Sequence, residues 1–236
     1  MALLELGHVE TFYGESHILF DVSLNIEAGE VVCLLGRNGA GKTTTVRSII
    51  GLTPPRAGRV AWRGRDLIGL PPFRIARLGI GFVPEDRRVF PNLTVRENLE
   101  VARRTWGNGA AGAWTEARVF DLFPHLRSLA SRRAGLLSGG EQQMLTIART
   151  LMGSPELLIL DEPSEGLAPL VVEMLRDQLA RLKAEGLTML VAEQNVRFVS
   201  GLGDRVYVLE KGMVRYQSSM PEFLADDETR RAYLAL

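Results

Sequence analysis

Residues 31–43 read VVCLLGRNGAGKT. Five apolar residues run directly into glycines at 36, 39 and 41, followed by Lys42 and Thr43. A short, unbroken apolar run bounded by glycine reads as a buried strand. Residues 36–43 then fill every fixed position of GxxxxGK[ST], between that strand and a helical stretch, which is the setting such a loop requires. The glycines let backbone N–H groups close around phosphate oxygens. Lys42 brings a point charge to the β- and γ-phosphates, and the Thr43 hydroxyl is a ligand for Mg²⁺. The expected phosphate-binding residues are Gly36, Arg37, Asn38, Gly39, Ala40, Gly41, Lys42, Thr43 and Thr44, with Lys42 also a candidate catalytic residue.

The parts such a loop lacks stand at residues 157–162, LLILDE. An all-apolar strand ending in two acids puts Asp161 at a strand's C-terminal edge, where open α/β sheets bind ligands. Asp161 is placed to hold a Mg²⁺ shell and Glu162 to polarise an attacking water. Taken alone, a strand followed by Asp-Glu also fits a helix cap; beside the phosphate loop it reads as the metal- and water-handling half of one site.

Further strands are expected at 3–9 (LLELGHV), 59–62 (RVAW), 81–83 (GFV), 188–192 (TMLVA) and 205–209 (RVYVL). Between the later ones Val171, Met174, Leu175, Leu179 and Leu182 fall on one helical face. Strands alternating with helices imply a mainly parallel sheet, and the early strands, with short links, an antiparallel side sheet. The middle is different. Thr94 and Glu97 form a capping-box start to a helix running to about Arg104. Residues 106–114 (WGNGAAGAW) read as a loop, and 115–123 as a helix closed by Pro124. No strand is expected from 84 to 137. The expected organisation is a single domain over 1–236. Segments 1–83 and 155–236 form the core with its side sheet, and about 84–154 forms a helical subdomain. That subdomain holds Arg87, Arg88, Arg96, Arg103, Arg104, Arg118, Arg127, Arg132 and Arg133 against Asp86, Glu97, Glu100, Glu116 and Asp121, a solvated basic face.

Composition bounds the rest. The 236 residues are 46% hydrophobic and 24% charged, enough to bury a full core. Lys+Arg equals Asp+Glu at 28 each, so no overall field attracts nucleic acid or a lipid surface. The lone Cys33 excludes an internal disulfide and reads as a buried hydrophobe. No apolar stretch approaches the ~20 residues that span a bilayer, and MALLELGHVE lacks the pattern of a secretory signal.

A second anion cradle stands at residues 137–142, LSGGEQ, where Ser138 and Glu141 make a capping box with Gly139 and Gly140 between them. Phosphate loop, acidic strand end and LSGGEQ together resemble the ATP-binding cassette family over nearly the whole chain. The resemblance implies an ATPase binding ATP and Mg²⁺. It also explains the two cradles: two cassettes pack head to tail, and Ser138, Gly139, Gly140 and Glu141 of one close over the γ-phosphate held by the other. Tyr13, in TFYGES, stands where the family stacks an aromatic ring on adenine, or is simply an edge-strand tyrosine. Residues 164–167 match the loop running between the two ATP sites.

Two positions depart from the family pattern. Glutamine is usual after the strand GFV, but here Pro84 is followed by Glu85. The switch histidine usually follows the strand after the acids, but here Gln194 stands in VAEQN, and none of His8, His17 and His125 replaces it by position. Glu85 either approaches Mg²⁺ or is a solvated loop residue. Gln194 is a neutral donor able to hydrogen-bond the γ-phosphate. With VPEDRRVFPNLTVRENL, DEPSEGLAP and the tail RRAYLAL, these departures resemble the ATPase subunits of branched-chain amino acid importers. That resemblance implies membrane-spanning permease subunits, a second ATPase subunit (identical or different), an external solute-binding protein, and a peripheral place on the cytoplasmic face of the inner membrane. It implies no nucleic acid. An importer ATPase for urea, amides or another small solute is the alternative. A soluble cassette ATPase acting on ribosomes or DNA fits less well, given one phosphate loop and no net positive charge.

Overall fold

The computed structural model describes residues 2–103 and 113–234. The chain opens with an antiparallel pair, β1 (Leu4–Tyr13) and β2 (Ser16–Ile26), which turns at Gly14 with φ 56°. β3 (Val31–Leu35), α1 (Lys42–Ile49), β4 (Ala57–Trp62), β5 (Arg65–Asp66), α2 (Pro72–Arg77) and β6 (Ile80–Val83) follow. A helical stretch comes next: α3 (Val95–Val101), α4 (Glu116–Leu122), α5 (Pro124–Ser128) and α6 (Gly139–Leu151). The chain then alternates through β7 (Leu157–Asp161), α7 (Pro169–Ala184), β8 (Thr188–Glu193), α8 (Val196–Val199) and β9 (Arg205–Glu210). It closes with β10 (Met213–Ser219), α9 (Met220–Ala225) and α10 (Asp227–Leu234). Strands β2-β1-β4-β5 make an antiparallel sheet. The larger sheet runs β10-β9-β3-β8-β7-β6, parallel except for its edge β10.

The parallel strands are apolar on both faces because both faces are covered. Val31, Cys33 and Leu35 of β3 join one buried cluster, and Val32 and Leu34 join the other. Neighbouring strands repeat the sorting: Leu158 and Leu160 against Leu157 and Ile159, Met189 and Val191 against Leu190 and Ala192. The first cluster is covered by α3 to α9, the second by the antiparallel sheet and α1. With a side-chain period of two, a one-residue slip of β3 would exchange these contacts wholesale, so the register is tightly specified. That register sets the C-terminal ends of β3, β7 and β8 side by side, with Leu35 opposite Glu193 and Asp161 opposite Ala192.

The expected parallel core, antiparallel side sheet and α/β class are present, and several local expectations are corrected. β1 runs past Val9 to Tyr13, and its partner β2 was not expected at all. His8 and Asp21 take left-handed backbone at φ 52° and 56°, and the pairing shifts register there, so the two-residue alternation breaks in both strands. β10 was likewise unexpected; its half-buried residues on an edge strand show no clean alternation. The helix capped by Thr94 and Glu97 ends at Val101, short of Arg104, which lies outside the described residues. Of the expected loop at 106–114 only Ala113 and Trp114 are described. Pro124 does not simply close a helix: it stands at the first position of α5, where its missing N–H costs nothing. In α7, Leu175, Leu179 and Leu182 are buried, but Met174 is 40% exposed. The basic surface is partly paired: Arg88 with Asp86, Arg96 with Glu116, Arg118 with Glu185, Arg127 with Asp121. Cys33 is fully buried and free, and burial pushes its thiol well above the ordinary range.

Candidate active site

β3 delivers the chain to Gly36, where a side chain cannot fit: a Cβ there would stand 2.6 Å from the Leu209 carbonyl oxygen. The loop then turns into α1 through Gly41, which caps the helix at φ 110°, a conformation natural to glycine. Lys42, the first residue of α1, is only 3% exposed. Its Nζ lies 2.7 Å from the Gly36 carbonyl oxygen, 3.1 Å from that of Arg37 and 2.9 Å from Glu162 Oε1. An ammonium has three donors, and these acceptors take all of them. The loop thus holds its own cation in place, and one of the three acceptors, Glu162, stands just past a distant strand, β7.

Thr43, next along α1, donates its hydroxyl to Asp161 Oδ1 at 3.1 Å, joining the two expected metal-binding groups directly. Burial pushes the Asp161 carboxyl up to about 6; the Thr43 hydrogen bond opposes this, while the Glu162 and Glu85 carboxylates add to it. Glu85 is exposed, yet close enough to act on both Asp161 and Glu165. The pair Thr43–Asp161 offers hard oxygen donors amid surplus negative charge, which fits Mg²⁺. Among the described residues no three His, Cys, Asp or Glu side chains gather to hold a metal alone, so such an ion would draw its other ligands from phosphate and water.

Glu162 sits one residue beyond β7 with φ 47°, a conformation a non-glycine residue keeps only when its surroundings impose it. Its N–H donates to the Ala192 carbonyl oxygen at 2.8 Å. Gln194 is exposed two residues beyond Ala192. The cap of α8 is Asn195, whose side-chain oxygen accepts from Phe198 N–H at 3.2 Å, so Gln194 is not spent as a helix cap. Tyr13, 42% exposed at the end of β1, touches Thr53, just past α1, through its hydroxyl at 3.4 Å.

Ser138 and Glu141 form the expected capping box at the start of α6, with Ser138 N–H to Glu141 Oε2 at 2.6 Å and Glu141 N–H to Ser138 Oγ at 3.3 Å. Glu141 also meets His125 Nε2 at 2.8 Å. Burial works against the Glu141 charge, but the His125 and Ser138 hydrogen bonds outweigh it and hold the carboxyl below its ordinary value. Gly139 and Gly140 are hemmed in by their own chain: a Cβ on Gly139 would be 2.5 Å from an Arg87 guanidinium nitrogen, and one on Gly140 would be 2.7 Å from Val171. Arg87 also donates to the Glu165 carbonyl oxygen, so the segment after β6, the start of α6 and the turn after Glu162 meet at one side chain. The contacts of the two cradles do not overlap. Residues 36–43 lean on β7 and β9, residues 138–141 on Arg87, His125 and Val171 of α7.

Two residues here escaped the sequence. Arg87 was counted only as surface charge. Glu193 carried a signal that was available: like Asp161, it is an acid ending an all-buried strand, and it is 1% exposed.

Residues 19–165 match the family described as ABC transporter. The chain is 40% identical, over 98% of its length and 99% of the relative's, to the high-affinity branched-chain amino acid transport ATP-binding protein BraG of Pseudomonas aeruginosa. It is 37% identical to a probable branched-chain amino acid transport ATP-binding protein, LivF, of Archaeoglobus fulgidus, over 95% of each chain. To the lipopolysaccharide export system ATP-binding protein LptB of Escherichia coli it is 34% identical, over 99% of this chain and 98% of the relative. Among solved structures, an ATP-binding subunit of an ABC transporter superposes with a TM-score of 0.82 at 29% identity, covering 99% of this chain and 96% of that one. A bacterial ABC transporter cassette solved as a dimer superposes at 0.80 and 28% identity, covering 92% and 98%. With the phosphate loop, the acidic strand end and the LSGGEQ helix on one such fold, this chain belongs to the ABC transporter family and is one of its ATP-hydrolysing cassettes.

Proposed function

We propose that the chain energises a membrane importer for branched-chain amino acids, as a peripheral subunit on the cytoplasmic face of the inner membrane. The observation that carries the hydrolytic half is the convergence of Lys42, Thr43, Asp161 and Glu162 at the ends of β3 and β7. Residues 36–44 would wrap the phosphates and Tyr13 would stack on adenine. Thr43 and Asp161 would hold Mg²⁺, with Glu85 near its outer shell; when bound, that ion neutralises phosphate charge. A phosphate entering the loop competes with Glu162 for Lys42. Once Lys42 turns to the phosphate, Glu162 is free to accept the proton of a water attacking the γ-phosphorus, as the bond to the β–γ bridging oxygen breaks. Gln194, with its amide unspent, would donate to a γ-phosphate oxygen.

Two cassettes, identical or different, would meet head to tail, so that Ser138 to Glu141 of each complete the other's site. The helical stretch, 84–154, would act as a subdomain carrying the motion to permease subunits. A groove of about 380 Å³, lined by Leu52, Ile75, Phe82, Ala102 and Arg149, lies between this stretch and the core. Leu52, Phe90 and Val101 expose apolar surface near it, which suits a short permease helix. No described helix is long and apolar enough to cross a membrane, so the spanning segments would belong to other chains.

The substrate half rests on BraG and LivF, whose names carry branched-chain amino acid transport. LptB, at 34%, keeps lipid export as a second reading; importers of urea or amides are a third. Deleting this chain should abolish uptake of labelled leucine, isoleucine and valine, and the wild-type chain but not Glu162→Gln should restore it. Undiminished uptake, with lipid-export or urea-permease subunits co-purifying instead, would overturn the substrate.

A further inference from the structure

Glu193 ends β8 and is left without a role by the reading above. Its Oε1 accepts the Ser164 N–H at 2.9 Å, and its Oε2 accepts the N–H groups of Gln194 at 2.9 Å and Asn195 at 3.0 Å. An ionised carboxylate only accepts, so it suits three converging donors; an amide in its place would aim an NH₂ at one of them. The donors come from two separate loops. Ser164 belongs to the turn that follows Glu162, whereas Gln194 and Asn195 belong to the segment leaving β8. The turn needs restraint, because Glu162 keeps left-handed backbone at φ 47°. Ala192 holds it at residue 162, through the Glu162 N–H, and Glu193 holds it at residue 164. The end of β8 therefore grips the turn on both sides of the strained peptide.

We propose that Glu193 is a positioning residue for hydrolysis: its carboxylate ties the Glu162 turn to the Gln194 segment, so that the base and the γ-phosphate donor are set as one unit. This rests on the reading of Glu162 as the general base. A misplacement of the reacting groups by about 1 Å is enough to cost on the order of 10²-fold in rate. A buried acid that only stabilises the fold would change melting and leave the rate per folded molecule alone.

The test measures kcat, KM, ATP affinity and thermal melting for the full chain carrying Glu193→Gln, Glu193→Asp, Glu162→Gln, or Glu162→Gln with Glu193→Gln. Glu193→Gln should lower kcat roughly 10- to 100-fold while KM and ATP affinity stay within about 3-fold. Glu193→Asp keeps the acceptor-only group and should retain a larger share of kcat. The double variant should turn over no more slowly than Glu162→Gln alone, since Glu193 acts through Glu162. If Glu162→Gln hydrolyses ATP normally, the reading of the base fails. If Glu162→Gln is inactive and Glu193→Gln melts early with wild-type kcat, Glu193 is structural and the present inference alone is overturned. Should Glu193→Gln fail to fold, Glu193→Asp decides: reduced kcat at constant affinity supports positioning, and unchanged kcat refutes it.

Discussion

Lys42 Nζ and Glu162 Oε1 form a 2.9 Å ion pair in which the lysine is 3% and the glutamate 10% exposed. The residue proposed to meet a phosphate and the residue proposed to meet a water thus neutralise each other. Breaking a buried pair by removing one partner typically costs about 3–5 kcal/mol, because the other charge is left uncompensated. Lys42→Ala should therefore lose measurable ATP binding and also melt earlier. Adding Glu162→Gln to it should recover melting temperature but not binding. Calorimetry with and without nucleotide checks both; a single variant that melts like wild type would show that the pair carries no stability.

Glu162→Gln alone removes the ion-pair partner of Lys42 and the proposed base together. ATP affinity should hold or rise, while turnover falls by on the order of 10²–10⁴. ATP should then accumulate a closed dimer, visible by light scattering. Normal turnover, or a monomer at high protein concentration with saturating ATP, would count against the assignment.

Gln194 and Asn195 separate switch from cap. Because Asn195 caps α8, Asn195→Ala should cost about 1 kcal/mol of stability. Gln194→Ala should leave melting nearly unchanged and slow turnover markedly with ATP binding intact, and Gln194→His should retain substantial activity. An unchanged rate for Gln194→Ala would end the switch reading.

Burial raises the Asp161 carboxyl to about 6 from an ordinary 3.8. Folding therefore favours the protonated form relative to the unfolded chain. The associated stability is complete below about pH 3.8 and is lost as pH rises through about 6. In chelator, Asp161→Asn should stabilise the protein at pH 8, by at most about 3 kcal/mol, with the gain vanishing below about pH 4. Equal melting of variant and wild type at pH 8 would contradict it.

Crosslinks to a permease subunit should map to residues 85–103 and to Leu52 and Phe73 around the groove. Crosslinks confined to residues beyond Met213 would place the docking face elsewhere.

Features legible in the amino-acid order alone are those whose causes are contiguous. The phosphate loop needs glycines at set spacings, the caps at Thr94 and Ser138 need an acid three residues on, and the parallel strands need only unbroken apolar runs. All three are present in the structure. The class of fold followed from them. What tertiary structure alone decided lies between residues far apart: Arg87 with Glu165 across 78 positions and Ser164 with Glu193 across 29. β2 was hidden for a related reason. Its bulge at Asp21 answers one at His8, and paired bulges cancel the alternation by which a strand is read. Gly139 and Gly140 looked shaped for a phosphate, but the atoms that first forbid a side chain there belong to Arg87 and Val171. Local patterns report backbone preference and periodicity. Which charged groups meet is set by the register of β3, β7 and β8, which the packing of both sheet faces fixes at once.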